Sequence, residues 1–82
     1  MERLLRKLAE YRRYGVLKYQ NKDILVKFWE NEGELVGAFF IPEENTDEGV
    51  MFSAEIYRAV AKKEDVDSII KDLEDHIKSL FK

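Results

Sequence analysis

The stretch from Ile24 to Ile41 constrains the fold most, because it is typical of a β-hairpin that is apolar on both faces. Its strands are residues 24–29 and 35–41, and they are joined by a turn that contains Gly33. A half-solvated antiparallel strand alternates apolar with polar residues, so apolar residues at both phases indicate that both faces need cover. A chain of 82 residues has little helix to offer. The sequence therefore predicts a sheet surface that something else covers.

Size and composition predict one globular domain over residues 1–82, with 45% apolar residues and no cysteine. No apolar run approaches the roughly 18 residues of a membrane span, and the charged N-terminus lacks the apolar core of a secretion signal. We therefore expect a cytoplasmic protein without a membrane partner. The abundance of Glu and Lys beside few amides is typical of thermophile proteins, and also of designed or very soluble helical domains.

The pattern along the chain predicts an α+β fold, in which an antiparallel meander of three or four strands is flanked by N- and C-terminal helices. Helical spacing of leucines predicts the first helix over residues 2–13, with Gly15 as its stop. Residues 16–20 favour a short strand that turns at Asn21-Lys22 into the central hairpin. Residues 65–81 favour the last helix. The segment 53–63 suits either strand or helix, and β-branched alternation favours strand.

The turn at Gly33 sets which side chains share a face of the hairpin. A three-residue loop closed by a left-handed glycine pairs Phe28 with Val36 and Val26 with Ala38. That register gives one uncharged core face and leaves an apolar cluster on the other. The predicted core face holds Leu17, Tyr19, Ile24, Val26, Phe28, Val36, Ala38 and Phe40, and the predicted interface cluster is Leu25, Trp29, Leu35 and Phe39. A Trp-centred apolar cluster is typical of a protein interface.

Groups that could perform catalysis are sparse in this sequence. His76 is the only histidine, which favours a surface or boundary residue over an acid–base role and excludes a His-based metal cluster within one chain. The serines lie in no nucleophile motif, and the glycines are too dispersed for a phosphate-binding loop. We therefore expect no enzymatic activity, no metal site and no cofactor.

The charge is unevenly spread along the chain. Residues 1–29 carry eight Lys or Arg against three acids, and residues 30–50 carry seven acids and no base. The motif Tyr11-Arg12-Arg13-Tyr14 could stack on bases and hold phosphates, with Arg6, Arg12, Arg13, Lys18 and Lys22 as contacts. The acidic loop formed by Glu43, Glu44, Asp47 and Glu48 could instead present carboxylates to an electropositive partner.

These patterns lead to one preferred functional hypothesis and two alternatives. We expect a small interaction or assembly module, homodimeric through the hydrophobic cluster around Trp29. The first alternative is a nucleic-acid-binding protein that uses the basic N-terminal residues. The second is an acidic inhibitor or antitoxin-like protein that uses the loop at 43–48. A net charge of −3 weighs against a dedicated nucleic-acid domain.

Overall fold

The structure is a computed structural model that describes residues 1–46 and 49–81, with the backbone alone for residues 43–46 and 50. It confirms the predicted α+β class, since a helix lies at each end and a four-stranded antiparallel sheet lies between them. The helices are α1 (Glu2–Glu10) and α2 (Val66–Leu80), and the strands are β1 (Tyr14–Tyr19), β2 (Lys22–Asn31), β3 (Glu34–Phe40), β4 (Pro42–Thr46), β5 (Gly49–Phe52) and β6 (Tyr57–Lys62).

The main sheet has the strand order β1-β2-β3-β6, and both helices pack against the same face of it. The apolar stripes of α1 and α2 meet sheet residues of a single phase, and together they form one core. That core consists of Leu5, Leu8, Ala9, Leu17, Ile24, Val26, Phe28, Leu35, Phe39, Ala59, Ile69, Ile70, Leu73 and Ile77. The opposite face of the sheet receives neither helix.

Helix α1 ends earlier than predicted, at Glu10 instead of residue 13. The backbone N–H of Arg13 donates to the Leu8 carbonyl at 3.0 Å, and that of Arg12 donates to the Ala9 carbonyl at 3.2 Å. This pair of bonds is the Schellman pattern, with Arg12 in the left-handed position that glycine usually takes (φ 50°). Gly15 is therefore not the stop, and it lies within β1 instead.

Helix α2 begins close to the predicted residue 65. The carboxylate of Asp65 accepts a hydrogen bond from the backbone N–H of Ser68 at 3.3 Å, which satisfies one of the free donors of the first turn. Behind this cap, Ile69, Leu73 and Ile77 are buried at helical spacing.

The predicted register of the central hairpin was wrong by one residue. Asn31 pairs with Glu34, so the loop has two residues, and both Glu32 (φ 53°) and Gly33 (φ 81°) have positive φ. Two successive residues of this kind form the type I′ turn that matches the twist of paired strands. Because side chains alternate across a strand, the shift by one residue exchanges the two faces of β3.

The same rule explains a smaller difference at the first turn. Gln20 and Asn21 both have positive φ, so the turn lies one residue earlier than predicted. Leu17 pairs with Ile24 instead of Val26. The partner of Leu17 thus changes by two residues. A shift by an even number keeps a side chain on the same face of the sheet, so Leu17 keeps its predicted place in the core.

Gly37 occupies the point where β3 passes beneath α2. A Cβ at this position would lie 2.7 Å from Cε1 of Phe28 and 2.9 Å from Cδ1 of Leu73. Both distances are shorter than van der Waals contact, so the Phe28 ring fills the space that a side chain would need. The observed register places Phe28 opposite Gly37, and the predicted register would have placed it opposite Val36.

Strand β3 ends at Phe40, and a second hairpin begins at Pro42 where a loop had been predicted. Strands β4 and β5 form this separate two-stranded sheet, with a register irregularity between Pro42 and Glu44. Two strands, β5 and β6, flank residues 53–56, and the segment 53–63, for which strand was favoured over helix, is strand only over Tyr57–Lys62. The second of them, β6, returns to the main sheet as the neighbour of β3.

We expect Gly37→Ala to lower the free energy of unfolding by about 1–3 kcal/mol, because the added methyl group overpacks the core against Phe28 and Leu73. Urea denaturation followed by circular dichroism measures the change. The double variant Phe28→Leu/Gly37→Ala frees part of the space, so its loss should be smaller than the sum of the two single losses. If the two losses in unfolding free energy were additive, the result would contradict a contact between Phe28 and the side chain at residue 37.

We expect Glu32→Asn to raise the free energy of unfolding by about 0.5–1 kcal/mol, because asparagine tolerates a positive φ better than glutamate does. The midpoint of urea denaturation reports the effect. In a three-residue loop, residue 32 would have an ordinary helical φ and the substitution would give no gain. An unchanged or lowered midpoint would therefore contradict the two-residue turn.

Candidate interaction surface

The sheet face that receives neither helix is the strongest candidate for a functional surface, and we call it the open face. Its side chains come from all four strands of the main sheet, at the phase opposite to the core residues. Its central members are Val16, Leu25, Lys27, Trp29, Val36, Ala38, Phe40, Arg58 and Val60.

Cross-strand pairing arranges these side chains in rows. One apolar row consists of Val16, Leu25 and Phe40, and a second consists of Trp29, Val36 and Val60. Between them runs a row in which Lys27 and Arg58 flank Ala38. Directly opposed side chains lie about 5 Å apart, so each row is a continuous strip of contacts.

The two cations of the middle row lie over the aromatic rings of the apolar rows. The guanidinium carbon of Arg58 is 5.1 Å from the centroid of Trp29, and Nζ of Lys27 is 5.5 Å from the centroid of Phe40. Both distances suit cation–π attraction. Val36 and Ala38 become buried beneath this layer without help from a helix.

Glu55 fixes the position of Arg58. The guanidinium donates to the Glu55 carboxylate at 3.0 Å from Nε and 2.8 Å from Nη2. These hydrogen bonds raise the pKa of Arg58 above its ordinary value. Because two atoms of a planar group are held, the guanidinium is oriented over Trp29 instead of moving freely.

The register shift changes the predicted interface cluster. Leu25 and Trp29 lie on the open face and are partly exposed, whereas Leu35 and Phe39 face the helices and are buried in the core. The places of these two on the open face are taken by Val36 and Phe40. The interface role of the open face stays a prediction.

Strand β6 supplies Arg58 and Val60, which sequence reasoning did not assign to the surface. The sequence does contain a signal for their placement, because Arg58 and Val60 alternate with Ala59 and Ala61. Small residues such as alanine fit where a helix packs closely on a sheet. Ala59 is buried beneath α2 and Ala61 packs against the core. Arg58 and Val60 therefore point to the other face.

The five basic residues predicted to contact nucleic acid do not form one surface. Arg6 bridges Glu2 of its own helix and Asp67 of α2, and its pKa is raised chiefly by the hydrogen bond to Asp67. Arg13 lies over the ring of Tyr11, at the end of α1. Lys18 approaches Asp23 on the sheet at 3.9 Å, and Lys22 lies over the ring of Phe81.

Arg12, the last of the five, has a structural role. Its guanidinium donates to the carbonyls of Ala9 and Glu10 at the end of α1, to the Glu30 carboxylate at 3.0 Å and to the Lys63 carbonyl at 3.5 Å. One side chain thus joins α1 to β2 and to the segment before α2. These bonds occupy the donors that a phosphate would need.

The predicted acidic loop is only partly covered by the structure. Glu43 and Glu44 lie in strand β4, so this part of the segment is not the loop that the sequence predicted, and their side chains are not described. Asp47 and Glu48 lie outside the described residues. The inhibitor-like role of this segment stays a prediction.

His76 lies on α2 within a small polar cluster. Its ring stacks on that of Tyr57 with 3.6 Å between centroids, and its Nδ1 lies 2.9 Å from the Asp72 carbonyl. The Tyr57 hydroxyl donates to the Asp72 carboxylate at 2.8 Å, which raises the pKa of Tyr57. The cluster joins β6 to α2 and accounts for the position of each of its three members.

Two further properties concern the described residues alone. Residues 1–46 and 49–81 contain no group of three or more His, Cys, Asp or Glu side chains that could hold a metal ion. In the same part of the chain, no helix is long and apolar enough to cross a membrane.

No protein-family model, curated protein or solved structure matches the sequence or the fold.

We expect Tyr57 to ionise above its ordinary pKa of about 10, because the Asp72 carboxylate accepts a hydrogen bond from the neutral phenol and repels the phenolate. The contribution of this hydrogen bond to stability is complete below about pH 10 and is lost as the pH rises through the folded-state pKa. The difference between ultraviolet titrations of the wild type and Tyr57→Phe isolates this group. Asp72→Asn should lower the midpoint, and an unchanged midpoint would contradict the assigned cause.

Proposed function

We propose that this chain is a non-enzymatic interaction module that forms a homodimer through the open face. The observation that carries the proposal is a sheet face without helix cover, on which Trp29 is half-buried and Val60 is 52% exposed. A sheet is normally covered on its apolar face by helices or by another sheet. In this chain both helices are used on the opposite face, so the cover comes from a second molecule.

The side-chain types of the open face support a protein partner. Trp, Tyr, Phe and Arg are enriched in protein interfaces, and Trp and Arg dominate their binding energy. The open face presents Trp29, Phe40 and Arg58 side by side. Trp29 is its only tryptophan and lies in an apolar row with Val36 and Val60.

The charges of the open face favour a second copy over a highly charged partner. Arg58 is paired with Glu55, and Lys18 approaches Asp23. This leaves Lys27 as the central cation of the face without an ion pair among the described residues, so two identical faces would repel each other only modestly. Two copies would also bring apolar rows against apolar rows, in the sheet-on-sheet packing that places layers about 10 Å apart.

The size of the open face sets the strength of the expected dimer. Four strands about 4.8 Å apart and about six residues long give a flat area of about 400 Å² per subunit. Stable protein interfaces bury about 800 Å² of accessible surface per partner. The dimer should therefore be concentration-dependent, with a dissociation constant in the micromolar range or weaker.

We expect sedimentation equilibrium over a concentration series to show a monomer–dimer equilibrium that depends little on salt. Trp29→Glu should abolish the dimer, because a carboxylate in this apolar row would be desolvated without a partner from the other copy. Val60→Glu tests the same face at a half-exposed position, where the fold tolerates the change. Both variants should remain folded by circular dichroism.

The matched control is Leu80→Glu, since Leu80 is 48% exposed and lies on α2, away from the open face. This variant should dimerise like the wild type. A wild-type protein that stays monomeric at millimolar concentration would overturn the proposal. A folded Val60→Glu variant with unchanged self-association would do the same.

A further inference from the structure

A groove between α1 and the start of β1 lies apart from Trp29 and Val60 and has a different chemistry. It has a volume of about 430 Å³ and is lined by Leu4, Lys7, Leu8, Tyr11, Arg13 and Tyr14. The early end of α1 forms it, because the chain turns at Arg12 and leaves the side chains on either side of the turn projecting outward. Tyr11 is the C-terminal cap residue of α1.

Two tyrosines dominate the rim of this groove. Tyr11 is 64% exposed and Tyr14 is 71% exposed. Neither of the two hydroxyl groups donates or accepts a hydrogen bond within the described part of the chain. Packing within the monomer therefore does not account for these rings.

The charges of the groove all have one sign. Lys7 and Arg13 line it, and none of the residues that line it is acidic. Among residues 1–46 and 49–81, neither cation forms an ion pair, and Arg13 lies 5.9 Å from the ring centroid of Tyr11. The groove is thus a cationic site in a protein of net charge −3.

We infer that this groove binds single-stranded nucleic acid, with bases stacked on Tyr11 and Tyr14 and the backbone phosphates held by Lys7 and Arg13. Every base has a π-face, so exposed aromatic rings beside cations bind single strands with little dependence on sequence. Arg13 suits this role because a guanidinium pairs with phosphate through two parallel hydrogen bonds. The site is a second function that borders the first, because Tyr14 pairs with Lys27 across β1 and β2 and therefore lies at the β1 edge of the open face by register.

Single-stranded nucleic acid fits the groove better than an acidic peptide does. A peptide helix in a groove is held by buried apolar anchors at helical spacing. Here Leu8 is already buried in the core and Leu4 is the only apolar residue left on the wall. The free surface is mainly that of the two tyrosine rings, which suits planar groups.

The test is fluorescence anisotropy of a short labelled oligouridylate, about 12 nucleotides long, titrated with the full chain. Tyr11→Ala and Tyr14→Ala should each weaken binding at least about fivefold, because each removes a stacking platform. Tyr11→Phe and Tyr14→Phe keep the rings and should bind like the wild type. Contact with two phosphates predicts that affinity falls about sevenfold between about 50 and 200 mM salt.

Charge variants distinguish binding in the groove from general electrostatic attraction of the oligonucleotide to α1. Arg13→Gln should weaken binding and reduce the salt dependence by about half, whereas Arg3→Gln makes the same charge change on α1 outside the groove and should have little effect. Equal losses for these two variants would overturn the inference. Val60→Glu should bind the oligonucleotide as the wild type does, so failure of the dimer proposal and failure of this one remain distinguishable.

Two competitors complete the test. Polyphosphate carries the charge without bases and should compete at least tenfold more weakly than unlabelled oligouridylate of equal charge. An acidic amphipathic peptide should not compete at equal charge. Equal competition by polyphosphate would reduce the groove to a nonspecific anion site, and tighter binding of the peptide would assign it to a protein partner. Either result would overturn the inference, as would the absence of oligonucleotide binding at low salt.

Discussion

The rest of the structure depends on the contact of Phe28 with Gly37 beneath Leu73. The ring of Phe28 occupies the position of an absent side chain on the neighbouring strand, and α2 packs down on both. In this contact the position of one strand relative to the next is determined by steric exclusion rather than by polarity. Because β3 is apolar at both phases, its hydrophobic pattern does not decide between two registers that differ by one residue. The missing Cβ of Gly37 selects the observed one.

Once that register is chosen, the two faces of the sheet acquire different roles. Leu35 and Phe39 join the core beneath the helices, while Val36 and Phe40 join Trp29 on the open face. In the monomer, the cover of this second face consists of two cations that lie over the rings of Trp29 and Phe40. Such cover is thin, because long charged side chains keep their heads in water.

Sequence reasoning succeeded where a pattern is long and failed where a single residue decides. The helix near the C-terminus and the α+β class follow from apolar spacing over many residues. The one-residue error at Gly33 arose because two turn types both suit glycine there, and no local pattern requires a glutamate to adopt a positive φ. Leu25 and Trp29 lie on the same face of β2 in the predicted and the observed register, because the one-residue shift at Gly33 exchanges the faces of β3 and not those of β2.

The same limit applies to the charged residues. Arginine in a sequence is equally consistent with a surface contact and with a structural link. Only the fold distinguishes Arg12, which joins three segments, from Arg13, which lies over the Tyr11 ring at the groove and forms no ion pair with any described residue. The position of the groove follows from a helix end that is stabilised by Arg12 in a glycine-like conformation. A rule that assigns helix ends to glycine places the end of α1 at Gly15 and therefore misses the groove.

The hairpin formed by β4 and β5 has a consequence for how this fold can vary. Phe39 and Tyr57 are paired across β3 and β6, so the chain leaves the sheet and returns to it at neighbouring points. A connection whose ends already lie together changes little in closure entropy when its length changes. The intervening segment can therefore lengthen, shorten or be exchanged without altering the core. Evolution, or an engineer grafting a recognition loop, has an insertion point there.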